Sequence, residues 1–190
     1  METPDFSNVS FDLADGVNLR QFVSSDIDLI FETVKRNEEH LLEFMHWMTR
    51  DYSRQMAVEF VERATAATEK GESLGFGFFR GTQLLGSIGF THFDYLAGKT
   101  EIGYWIDRDE QGKGLVSKGT KKLIDFAFDD LDLNRIEIRC STENQRSAAI
   151  PRRFGFKLEG HLRQCEFRNG KLHDFFLFGI LRSEWPLSEA

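Results

Sequence analysis

Cysteine, proline and basic charge are scarce in this chain, and each shortage removes a class of protein. Two cysteines, Cys140 and Cys165, among 190 residues are too few for a disulfide framework, and no CxxC occurs. Both fall in strand-like runs and read as reduced, half-buried thiols. The five histidines are scattered, so no metal-ligand spacing appears. Lys and Arg number 24 against 31 Asp and Glu, a net charge of −7. That balance argues against general affinity for nucleic acid, which needs a basic face, although Arg152 and Arg153 could form a local basic patch. An acidic surface suits a cationic substrate such as an amine. No run reaches the ~18 apolar residues a membrane span needs. The N-terminus, Met-Glu-Thr-Pro-Asp, lacks the basic and apolar regions of a secretory signal. The expectation is a soluble cytoplasmic protein with no metal, nucleic-acid or membrane partner.

Phenylalanine is plentiful. Nineteen of them, in a composition 41% hydrophobic and 29% charged, indicate a globular chain with an aromatic core. The length suits one domain over 1–190, and no repeat or linker interrupts it. Residues 1–10 read as a loose arm and 17–22 as a short strand. Helical periodicity follows at 26–36, 38–48 and 53–70, the last with Ser53 as N-cap and Gly71 as stop. Residues 74–80 and 84–93 form a hairpin around Gly81-Thr82-Gln83, and 99–106 is the next strand. A helix at 114–129, a strand at 135–140 and a short helix at 145–153 lead to strands 156–167 and 172–181, joined through Asn169-Gly170. The fold class is therefore mixed α/β. About seven strands make a central, largely antiparallel sheet flanked by helices, with a right-handed parallel strand–helix–strand crossover at 101–140.

The stretch 101–116, Glu-Ile-Gly-Tyr-Trp-Ile-Asp-Arg-Asp-Glu-Gln-Gly-Lys-Gly-Leu-Val, is the most informative in the chain. An apolar strand passes through an acidic turn into a glycine-flanked loop and the start of a helix. Free backbone N–H groups at a helix N-terminus make a ready anion site. Gly112 and Gly114 let the backbone approach a ligand, Lys113 adds positive charge, and the guest expected is a phosphate or pyrophosphate. Two familiar phosphate loops fail on spacing. GxGxxG fails at Ser117, and GxxxxGK[ST] would need lysine where Thr120 stands. A turn with no ligand is the competing reading.

The loop resembles the acyl-coenzyme-A motif [QR]-x-x-G-x-[GA] of the GNAT acetyltransferase superfamily. Gln111, Gly112, Lys113, Gly114 and Leu115 match as Q-x-x-G-x, and Val116 stands at the final small position. The element order over nearly the whole chain is that of the superfamily. A second stretch, Asn144-Gln145-Arg146-Ser147 running on to Gly155-Phe156, resembles the next motif of the RimJ/RimL-type branch, which acetylates protein N-termini. Many superfamily members carry a tyrosine four residues before that glycine as general acid, whereas this chain has Pro151. Ser147 lies one turn earlier on the same helix face. Pro151 lacks the N–H that would bind the Ser147 carbonyl, so a bent helix with a freed carbonyl is expected there.

By the resemblance, Ser147 protonates the leaving thiolate; on the residues alone, a capping or packing role is equally open. Glu166 falls 19 residues later (166 − 147), where the branch places its general base. An aromatic-walled site would raise the pKa of such a carboxylate and improve it as a base. An ordinary solvent-facing strand glutamate is the alternative. The resemblance implies acetyl-CoA as co-substrate. Its pantetheine arm would lie along Ile102, Tyr104, Trp105 and Ile106, its pyrophosphate on 111–116, with Asn144 beside it. A backbone N–H of 101–106, with a β-bulge as one place for it, would polarise the thioester carbonyl.

The acceptor is a protein N-terminus or a small amine such as a polyamine, aminoglycoside or amino acid. A non-catalytic acyl-CoA-binding module is the reading from another class. The 44–48 cluster and the pair Phe90 and Phe93 could wall the acceptor groove or sit in the core. His173 and Asp174 could orient the amine or pair locally. A homodimer is compatible with the family and with the aromatic excess.

Overall fold

The alternating and turn-bounded segments of the sequence assemble into one sheet. In the computed structural model, which describes residues 4–186, eight strands lie in the order β1-β2-β3-β4-β5-β6-β8-β7. They are β1 Ser10–Asp12, β2 Val17–Arg20, β3 Leu74–Arg80, β4 Gln83–Asp94, β5 Lys99–Ile106, β6 Arg135–Ser141, β7 Lys157–Arg168 and β8 Lys171–Leu181. The helices are α1 Ile27–Arg36, α2 Glu38–Phe44, α3 Arg54–Glu69, α4 Leu115–Asp125 and α5 Gln145–Arg153. Every strand pair is antiparallel except β5 with β6. The mixed α/β class and the parallel crossover through α4 are as expected.

Two cores form, one against each sheet face. Leu115, Leu123 and Ile124 of α4 and Ala148 of α5 pack with Phe76, Phe78, Ile88 and Ile102. Ile30 and Val34 of α1, Leu41 and Leu42 of α2, and Ala57 and Val61 of α3 pack with Phe79 and Leu84. Burying each large apolar side chain is worth ~1.5–3 kcal/mol, so these two layers dominate the fold's stability. Covered on both sides, β3 is buried almost continuously rather than alternately. Gly119 lets α4 approach closely, since a Cβ there would stand 2.9 Å from the Phe78 ring.

Several boundaries differ from the sequence reading. Residues 1–3 of the supposed loose arm lie outside the described residues, but Phe6 is buried against Phe93, at 5.4 Å between ring centroids. Ser10 already opens β1, which makes eight strands rather than seven. The helix expected over 38–48 ends at Phe44, where Met45 turns extended. Its last carbonyls are met from the β7–β8 hairpin, where Asn169 Nδ2 donates to Leu42 O at 2.7 Å and Arg168 Nη1 to Phe44 O at 3.3 Å. The helix expected to begin at 114 begins at Leu115, because Gly114 is its cap at φ +78°. Its end passes into a π-turn over Phe126–Asp130. Ser53 caps α3 as expected, accepting from the Met56 N–H at 3.4 Å.

Gly75 and Gly89 face each other across β3 and β4. A Cβ at Gly89 would lie 2.5 Å from Leu74 O and 2.7 Å from Gly75 Cα, both of them backbone atoms. Gly89→Ala should therefore force the two strands apart and lower stability by ~1–3 kcal/mol, read as a reduced urea midpoint.

Candidate active site

β5 and β6 pair only from Lys99–Glu101 against Arg135–Glu137. Beyond Glu101 the strands diverge, and β5 keeps its ladder to β4 alone. On one face the crotch is crossed by an ion pair, Arg139 Nε donating to Glu101 Oε2 at 2.9 Å. The divergence opens one edge of Ile102–Ile106. The Ile106 carbonyl there is met by His40, and the N–H and C=O groups before it have no strand partner on that side and suit an extended guest. A bulge does lie nearby, but on β4 rather than β5: Thr91 and His92 stand opposite Glu101. A cavity of about 1320 Å³ fills the fork and continues under α3. Its walls include Tyr104 and Trp105 of β5, Cys140 of β6, Ser147 of α5 and Glu166 of β7. No group of three or more His, Cys, Asp or Glu among the described residues could hold a metal ion.

Ser147 sits in the first turn of α5. Asn144 caps that helix, its Oδ1 accepting from the Ser147 N–H at 2.9 Å. Asn144 lines the cavity, but its side-chain oxygen is engaged by the cap. The helix runs through Pro151 without interruption, and the carbonyl that Pro151 frees has a partner. Tyr104 donates its hydroxyl to Ser147 O at 3.1 Å and accepts from Ser147 Oγ at 3.3 Å. Burial pushes the Tyr104 phenol well above its usual range, so it stays protonated. Cys140, beside Ser147, is pushed up to about 11 by burial and is a neutral thiol. Cys165 is exposed, so the half-buried reading holds for neither cysteine. Tyr104 was expected to matter through its backbone. Strand alternation, which puts it on the face of Ile102 and Ile106, was the signal for its side chain.

Glu166 reaches the cavity because of an irregularity in β7. Leu162 pairs with Phe175 and Glu166 with His173, so Arg163, Gln164 and Cys165 stand opposite Asp174 alone. Asp174 pins this bulge. Its Oδ1 accepts from the Gln164 N–H at 2.8 Å, with Gln164 at φ +50°, and its Oδ2 lies 2.7 Å from His161 Nε2. His173 is buried between Glu143 and Arg168 O. Both residues thus pair locally.

The apolar isolation expected around Glu166 is not found. The buried Arg168 donates to its Oε1, and His46 Nδ1 lies 3.6 Å from its Oε2. Arg168 escaped the sequence reading, although the i, i+2 spacing on a strand places it on the same face as Glu166. Phe44, Met45, His46 and Trp47 line the cavity, as does Phe90, while Met48 is core. Phe93 packs on Phe6 and Tyr95 instead.

The loop at 111–116 turns on its two glycines just ahead of α4. Gly112 and Gly114 lie at φ +77° and +78°, with open space where a Cβ would stand. The first bond into α4 is Lys118 N–H to Gly114 O, leaving the N–H groups before it aimed ahead of the helix. Lys113 is less free than expected, since its Nζ pairs with Glu110 at 3.0 Å. Gln111 joins two elements: Arg146 donates to its Oε1, and its Nε2 lies 2.7 Å from His40 Nε2. Burial lowers the His40 pKa, which suits an accepting ring nitrogen.

Two buried carboxylates hold the loop's approach. Asp107 accepts from Arg36 at 2.6 Å and from the Asp109 N–H at 3.0 Å, and Glu110 takes both terminal nitrogens of Arg80 at 3.1 Å. Burial works to raise the Asp107 pKa, but these donors outweigh it and hold it below the usual range. Arg80, with Lys113, lowers that of Glu110. A depressed folded-state pKa stabilises above the unfolded value, ~4, and that stability is lost as pH falls through the folded value. Asp107→Asn should therefore lower the urea midpoint at pH 7, and the deficit should shrink as pH falls below ~4.

A family model described as an acetyltransferase (GNAT) domain matches residues 17–157. The chain is 30% identical over 173 residues to the putative ribosomal N-acetyltransferase YdaF of Bacillus subtilis (strain 168), spanning 89% of this chain and 93% of that one. It is 27% identical over 166 residues to the ribosomal-protein-serine acetyltransferase of Escherichia coli (strain K12), spanning 87% and 93%. The solved structure of RimL, a ribosomal L7/L12 α-N-protein acetyltransferase in complex with coenzyme A, superposes with a TM-score of 0.86 at 25% identity, covering 91% of this chain and 98% of that one. With an open β5 edge and a glycine-flanked loop ahead of α4, this chain belongs to the GNAT acetyltransferase family and is an acetyl-CoA-dependent N-acetyltransferase.

Proposed function

We propose that the acceptor is the N-terminal α-amino group of a protein, a ribosomal protein or one like it, with Glu166 as general base and Ser147 as proton donor. The observation that carries this reading is the single cavity whose walls include the open β5 edge, Ser147 and Glu166. The substrates named for the relatives support a protein N-terminus as acceptor. The free edge of Ile102–Ile106 suits the two amides of the pantetheine arm, which can pair with it as an added strand does. The N–H groups of 111–116 and the positive end of α4 suit the pyrophosphate. Asn144 contributes by fixing the start of α5.

Glu166 acts first. An α-amino group has a pKa near ~8 and is mostly protonated at pH 7, so a base must take its proton, directly or through water. Arg168 keeps the Glu166 carboxylate in place for that step. A β5 backbone N–H polarises the thioester carbonyl, and the amine attacks directly, with no covalent acyl-enzyme. As the carbon–sulfur bond breaks, Ser147 gives its proton to the departing sulfur. The amide nitrogen's surplus proton returns to Ser147 Oγ through water.

Glu166→Gln should lower kcat by roughly 10²–10⁴, with the Kd for acetyl-CoA within about threefold by titration calorimetry. A kcat within about threefold of wild type would remove Glu166 from the role. Gly114→Val should act the other way, raising the Kd for acetyl-CoA about tenfold or more through its strained positive φ and the lost approach. A peptide library that includes an N-terminal serine peptide, run beside spermidine, an aminoglycoside and free amino acids, tests the acceptor. Higher kcat/KM for any of the small amines than for every peptide would reassign it.

A further inference from the structure

Pro151 occupies the place where a general-acid tyrosine was expected, yet a tyrosine hydroxyl still lies at this end of the cavity. It comes from β5 instead of α5. Tyr104 meets Ser147 twice, donating to its carbonyl at 3.1 Å and accepting from its Oγ at 3.3 Å. Pro151 creates the first of these bonds by having no N–H to offer that carbonyl. The second has a mechanical effect. A serine in a helix turns its hydroxyl back to a carbonyl three or four residues earlier when nothing else accepts it. The Tyr104 oxygen on β5, with the Cys140 thiol of β6 also within reach of the serine, draws the hydroxyl away from the helix into the space left by the fork.

We propose that Tyr104 is a positioning residue for proton donation: from β5 it fixes the orientation of Ser147 Oγ, and so stands in, through the serine, for the tyrosine that Pro151 displaces. This rests on the reading of Ser147 as donor to the departing sulfur. The proton balance is simple. In the resting site the Ser147 proton is directed at the Tyr104 oxygen. As the carbon–sulfur bond breaks, the O–H turns from Tyr104 about the held Oγ and gives that proton to the sulfur, and Ser147 Oγ regains one from the amide nitrogen through water. Tyr104 keeps its own proton throughout, because burial holds the phenol neutral.

The test compares Tyr104→Phe, Ser147→Ala, their double variant, and Tyr104→Phe combined with Pro151→Ala. Each is assayed with acetyl-CoA and an N-terminal serine peptide and melted to obtain Tm. Tyr104→Phe should lower kcat about tenfold, the equivalent of one hydrogen bond, with KM for acetyl-CoA within about threefold. In the Ser147→Ala background it should add no further loss, since it acts through the serine. Pro151→Ala returns a helical N–H to the Ser147 carbonyl, so it should restore the Tm of Tyr104→Phe without restoring kcat.

A Tyr104→Phe kcat within about twofold of wild type overturns the proposal, because the loss of a functional hydrogen bond would be larger. So does a loss that multiplies with that of Ser147→Ala, and so does rescue of kcat by Pro151→Ala, which would make Tyr104 a structural cap. Wild-type kcat in Ser147→Ala would remove the serine's role and this inference with it. An impaired Ser147→Ala beside an unimpaired Tyr104→Phe would remove the inference alone.

Discussion

β5 and β6 hold each other in parallel register over three residues and then part, and the open edge proposed for the coenzyme exists because they part. A fully zipped pair would satisfy every backbone group between them and leave no edge for an acyl donor. Two side-chain contacts brace the fork, one on each face. Arg139 of β6 reaches Glu101 of β5 across the crotch, and Tyr104 of β5 reaches Ser147 at the start of α5. The β4 bulge at Thr91–His92 adds local twist beside the point of divergence, as bulges do. The opening is thus built from ordinary ladder chemistry stopped early, with its walls held apart by polar bonds.

Around that fork, charged groups serve as joints. Asp107 and Glu110 tie the approach to the 111–116 loop to α1 and β3 through Arg36 and Arg80. Arg168 closes the last turn of α2 by donating to Phe44 O while it holds Glu166. One guanidinium therefore couples the end of α2, at the cavity wall, to the strand that carries the proposed base. Such a joint positions a carboxylate more tightly than an aromatic wall could, because hydrogen bonds have direction and apolar contacts have little.

The legible parts of the fold were those with a local cause. Ser53 and Gly71 mark helix ends by capping chemistry, and Asn169-Gly170 marks a tight hairpin by the positive φ both residues adopt. The bounds of the 145–153 helix were readable to the residue, although it runs on through Pro151, where a bend was expected. Elements with a distant cause were not. β1 is three residues long and exists because β2 offers it an edge. α2 stops at Phe44, where hairpin residues more than 120 positions away meet its carbonyls. The β7 bulge depends on Asp174, which no local pattern singles out.

The sequence by itself determined the mixed α/β class, the strand–loop–helix order with glycines where φ must be positive, and the presence of Ser147 and Glu166 at family spacing. Those follow from periodicity, turn chemistry and motif, all carried within a few residues. Tertiary structure alone decided where β5 and β6 separate, which residue holds Glu166, and what meets the carbonyl that Pro151 frees. Each is a contact between segments far apart in the chain. Its geometry depends on how two packed layers settle against one sheet, and no window of sequence contains that information.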